Sequence, residues 1–195
     1  MPPSPSLDLT LTLTQTSTSP PTLLLTVLNT SPSVTYTLLT WSSPLDPAAL
    51  ALGLISVRTP ADNKPFPIAN IMLKRVVPTS NTDDAFVTLA PGESASSEVV
   101  FRDPVVDMDG LRTAALAGAG AGADKCAEGG KEEAAVLVQF LSGTDSPKED
   151  EDEGGVTVWV GKRREELAKE DLESLGRGGS ATRWKIRSEV VRTVV

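Results

Sequence analysis

A chain of 195 residues with 39% hydrophobic content has material for one core, and its 4% aromatic share leaves that core to Leu, Val, Ile and Ala. The formal net charge of -8 argues against nucleic acid and anionic lipid as partners, since both are bound by Lys/Arg surfaces. The complete lack of histidine removes Ser-His-Asp and Cys-His catalysis, His-ligated zinc and histidine pH switching.

Residues 1–6 carry neither a basic nor an apolar run and read as a disordered tail. Leu7 to Thr14 alternates strictly, with Leu7, Leu9, Leu11 and Leu13 on one face and Asp8, Thr10, Thr12 and Thr14 on the other, which predicts a strand. Ser19-Pro20-Pro21 stops it, and Thr22–Leu28 forms the next strand. Asn29-Thr30-Ser31-Pro32-Ser33 is turn chemistry, so Val34–Trp41 is expected as the hairpin partner of Thr22–Leu28. Asp46-Pro47 can open a short helical turn. Further strands are expected at Leu54–Arg58, Ile71–Val77, Ala85–Leu89 and Ser94–Phe101, the last with Ala95, Ser97, Val99 and Phe101 inward.

Asp107–Ala117 is compatible with either a helical turn or a loop, and low complexity then predicts a mobile loop over 117–133. Ala134–Leu141 is apolar on both faces apart from Gln139, as a central strand would be. A second mobile loop is expected over 142–155, then a strand at Val156–Val160 and one short helix over 162–175, where Ala168, Leu172 and Leu175 share a face. Arg183–Val195 is the final strand, with Trp184, Ile186 and Val190 the expected core contacts. About eight or nine strands at a spacing of roughly 10 residues, without βαβ alternation, predict an all-β fold. The expected solution is a single antiparallel β-sandwich of immunoglobulin-like character spanning 1–195.

Several stretches carry a resemblance: Asn29-Thr30, Thr40-Trp41-Ser42-Ser43-Pro44-Leu45, Lys74-Arg75 ahead of Pro78-Thr79, and Phe86 through Ser94. With the closing Arg187-Ser188-Glu189-Val190-Val191, they resemble the N-terminal pro-region of fungal deuterolysin-type (aspzincin) metallopeptidases and its small stand-alone relatives. The resemblance implies the β-sandwich of that pro-region and a chaperone- or inhibitor-like role. It implies no peptidase activity: the family's zinc site lies in a downstream domain with an HExxH motif, and this chain has no histidine.

Each candidate site has a plainer reading. The acidic run Glu149–Glu153, with Asp145, lacks the alternating oxygen ligands of a calcium loop and reads as a solvated segment. Asp103, Asp107 and Asp109 before Gly110, and the pair Asp83-Asp84, have the wrong spacing for an EF-hand and read as turn formers. Cys126 beside Lys125 has no base to complete a nucleophilic pair. Gly118–Gly122 lacks the following helix and Lys of a phosphate cradle. Lys162-Arg163-Arg164 is countered by Glu165-Glu166, and Asn29-Thr30-Ser31 matters as a glycosylation acceptor only in a secreted chain. Trp41, Trp159 and Trp184 read as core anchors.

No catalytic, cofactor-binding or metal-binding residue is therefore assigned, and no cofactor is expected. The expected role is a non-catalytic module that binds another protein through a sheet edge or the two loops, with Leu7–Thr14 and the last strand as the places to look. The alternative is a carrier of a small apolar ligand, which needs a cavity of at least about 300 Å³ between the sheets. Without a visible signal peptide the expected setting is cytoplasmic, with secretion the alternative that the resemblance implies.

Overall fold

The computed structural model describes residues 7–60, 62–76, 78, 80, 84–119, 134–140, 155–173, 175, 182–184 and 188–195. The Leu/Thr alternation becomes β1 (Leu9–Thr18), in which Leu9 and Leu11 are buried and Thr10, Thr12 and Thr14 exposed. Ser19 and Pro20 turn the chain back into β2 (Pro21–Asn29), which pairs antiparallel with β1, Leu13 facing Leu25. Pro21 is tolerated because it is the first residue of its strand.

The second edge of β2 is taken by β6 (Ser94–Val100), giving the order β1-β2-β6. This corrects the expected hairpin of Thr22–Leu28 with Val34–Trp41. Both ladders of β2 are already filled, so β3 (Tyr36–Leu39) crosses to another sheet. There it lies between β5 (Phe86–Leu89) and β8 (Val156–Val160), with β9 (Thr182–Trp184) beyond β8. A third sheet centres on β7 (Ala135–Phe140), flanked by β4 (Ile55–Arg58) and β10 (Val191–Val194).

These sheets make an all-β sandwich. Leu23, Leu25, Val27 and Val99 of one layer share a single cluster with Leu38, Val57, Val138, Phe140 and Val158 of the other. A smaller cluster joins Leu39, Phe86, Trp159, Leu167 and Leu172, with the Phe86 and Trp159 rings edge-on and 5.7 Å apart. Asn29 is fully buried where the layers meet: its Nδ2 donates to the carbonyls of Val34 (2.8 Å) and Leu89 (3.0 Å), and its Oδ1 accepts from Ser31 N (2.9 Å). It is thus committed to turn chemistry, with no amide left to carry a glycan.

Four further expectations change. Asp107 caps a 12-residue helix, α1 (Met108–Ala119), by accepting from Gly110 N at 3.0 Å. A Cβ on Gly110 would run into that carboxylate, so glycine is what lets the cap close. The helix also claims residues 117–119 of the expected first loop; residues 120–133 lie outside the described residues.

The expected helix over 162–175 divides into a 3-10 turn at Arg164–Glu166 and a short α2 (Lys169–Glu173). Leu167 is buried between them, and the Asp171 carboxylate reaches back to Ala168 N (3.0 Å) and Lys162 Nζ (2.8 Å). The final strand also breaks into β9 and β10, which belong to different sheets. Trp184 is in the core as expected, Val190 is instead exposed, and Ile186 lies outside the described residues.

Lastly, Ile71–Val76 is not a strand and joins no ladder among the described residues, and Val77 lies outside them. The outer edge of β4 is taken by the chain just after it, Lys64–Phe66, before Ile71 is reached. Arg58 bridges Pro65, Phe66 N donates to Val57 O (2.8 Å) and Thr59 N to Lys64 O (3.0 Å).

Candidate interaction surface

The unpaired segment is a strap fixed at both ends. At its start, Ala69 N donates to Val105 O (3.0 Å) and Ile71 N to Ala51 O (2.8 Å). The turn after Ala51 needs glycine, because Gly53 has φ +72 and a Cβ there would crowd the Asn70 side-chain amide at 3.1 Å. At the far end Arg75 enters the protein and meets the Asp46 carboxylate, which is 1% exposed, at 2.8 Å. That carboxylate also accepts from Ser42 N (2.8 Å) and Ala48 N (3.0 Å), so the Asp46-Pro47 turn expected from the sequence doubles as an anchor. The Arg75 guanidinium lies 5.5 Å from the centroid of the half-buried Trp41 ring, a cation–π contact. Of the three tryptophans, Trp159 and Trp184 are core anchors, and Trp41 serves the strap.

Between the anchors the side chains alternate as in a strand. Arg75 points inward, and Ile71 and Leu73 are 45% and 46% exposed, while Met72 and Val76 are 101% and 84% exposed with Lys74 exposed between them. Among the described residues, no backbone hydrogen bond engages Met72, Leu73, Lys74 or Val76. The strap therefore shows a partner both free N–H and C=O groups and an outward row of Met72, Lys74 and Val76.

The terminal edges expected to dock a partner are arranged differently. Gln15 of β1 reaches across to β10 and makes both bonds that a neighbouring strand would make. Its Nε2 donates to Val194 O (2.8 Å), and its Oε1 accepts from Val194 N (3.0 Å). β1 and β10 are thus clasped to each other at this point, which engages Val194 of the last strand and lies one residue past the expected Leu7–Thr14 edge.

The other candidate residues fall apart in space or outside view. Asp103 and Asp109 are exposed, Asp107 is the helix cap, and no group of three or more metal-ligating side chains occurs among the described residues. Asp84 is exposed. Asp83, Gly120–Gly122, Lys125, Cys126, Asp145 and Glu149–Glu153 lie outside the described residues, while Gly118 belongs to α1. Lys162 is neutralised by Asp171, and Arg163 N and Arg164 N are held by Glu166 (2.8 Å) and Thr88 (3.0 Å).

Residues 8–121, more than half of the chain, match the model of an immunoglobulin-like domain. The chain belongs to that family. The match takes in β1–β6, the strap and α1, and the strands that follow complete the same core. No curated protein sequence matches the chain. The comparison thus returns an immunoglobulin-like domain and not a metallopeptidase pro-region.

Proposed function

We propose that this immunoglobulin-like domain is a non-catalytic protein-binding module that accepts an extended partner segment along Met72–Val76. The observation that carries the reading is an apolar stretch of chain with alternating exposure, pinned at both ends, that has no strand partner among the described residues. Strand addition draws affinity from main-chain hydrogen bonds and selectivity from alternate side chains. Because the strap is already anchored at both ends, less ordering opposes the docking step. A role as folding assistant or inhibitor, of the kind the pro-region resemblance implies, would be one use of this surface. Co-refolding of the chain with a deuterolysin-type catalytic domain tests it.

The packing favours a surface role over the carrier alternative. Leu23, Leu25, Val27, Leu38, Val138, Phe140 and Val158 have no accessible surface, so these facing side chains line no cavity that even water could enter. Calorimetric titration with a capped, threonine-rich nonapeptide tests the proposal. The peptide carries glutamine at its centre and valine two residues to either side. Saturable binding is expected for the full chain and at least a tenfold loss for the Met72→Asp/Val76→Asp variant. No saturable binding, or equal binding by the variant, would overturn the proposal.

A further inference from the structure

The chemistry of the strap specifies more than an extended partner. Three side chains form its outward row, and the middle one is a cation: Met72, Lys74, Val76. The neighbouring cations are already used. Arg75 is spent on Asp46 and Trp41, and Lys64 on Asp62 at 2.8 Å. Lys74 makes no ion pair with any described residue, although the chain as a whole carries 26 acidic against 18 basic side chains. An acidic protein thus keeps an uncommitted ammonium at the centre of an apolar row on a segment that joins no sheet among the described residues.

Resting on the strand-addition reading, we propose that the partner segment carries an acidic residue flanked two positions away on both sides by apolar residues. Side chains directly opposite one another across a strand pair share a face, and opposite charges there attract while like charges repel. An acid opposite Lys74 places apolar side chains opposite Met72 and Val76. Lys74 is central, so the match holds whether the added strand runs parallel or antiparallel. A shift of one residue would turn the partner's acid and its apolar side chains to the other face, so the charge pair also fixes register.

The nonapeptide series with glutamate, glutamine or lysine at the centre tests this on the full chain. It is run at roughly 0.15 M salt, where the Debye length of about 8 Å screens the net negative charge. The glutamate peptide is expected to bind about fivefold tighter than the glutamine peptide and tenfold or more tighter than the lysine peptide. Lys74→Glu should invert that order. Equal affinity for all three peptides would overturn the acidic-partner inference and leave strand addition standing. An order unchanged in Lys74→Glu would overturn the inference in the same way, whereas no binding by any peptide would overturn both.

Discussion

Two parts of this molecule have the alternation of a β-strand and end in opposite states. β1 and β10 lie at sheet edges, yet Gln15 ties them together with two hydrogen bonds to Val194. Met72–Val76 alternates in exposure as well and meets no strand among the described residues. The difference does not lie in the alternation. It lies in what the neighbouring edge already holds: β10 faces a side-chain amide of the right length, whereas the edge of β4 is taken by Lys64–Phe66 before the strap arrives. An exposed edge is a hazard that proteins usually cover, and one held open by a buried ion pair invites a functional reading.

The largest expected effect comes from breaking the strap's anchor. Arg75→Ala leaves the Asp46 carboxylate buried without its cation, and urea unfolding should show a loss of about 3 kcal/mol. A loss below about 1 kcal/mol would mean that the ion pair does not hold the strap. Opening the closed edge comes next. Gln15→Ala removes the two hydrogen bonds to Val194 and a third to Ser17 O, should cost about 1–2 kcal/mol, and should expose the Val194 amide to exchange.

Met72→Asp should move stability by less than about 0.5 kcal/mol, because the side chain is fully exposed, while weakening peptide binding strongly. A large stability loss would show that the strap packs as part of the fold. The smallest effect concerns the turn leading into the strap. Hydrogen bonding to Lys64, and then to Thr59, holds the Asp62 carboxyl below its usual 3.8. The resulting stabilisation is present above that value and is lost as pH falls through the lowered one. Since the group is solvent-exposed, Asp62→Asn should barely shift Tm at neutral pH, and any difference from the parent chain should fade in acid.

Much of the fold was readable because period-2 patterning is local. Leu9 and Leu11, Leu23, Leu25 and Val27, and Val99 with Phe101 are buried as their alternation requires. Partner choice was not readable, since the pattern of Val34–Trp41 is the same whether it joins β2 or β5 and β8. Nor was the fate of Ile71–Val77, whose apolar residues predict a ladder, because ladder vacancy is a property of other segments. The anchor left a partial trace: Asp46-Pro47 was visible as a turn, but its pairing with Arg75 spans 29 residues and has no local signature. Gln15 was invisible for the same reason, being 179 residues from its partner.

Amide hydrogen exchange on the full chain, with and without the glutamate-centred peptide, tests the contrast between the two edges most directly. An open strap predicts that the Met72–Val76 amides exchange at near-unprotected rates in the free protein and slow when peptide is added. The Val194 amide should be protected in both conditions. Protection of Met72–Val76 in the free chain, or slowing at Val194 instead when peptide binds, would contradict it.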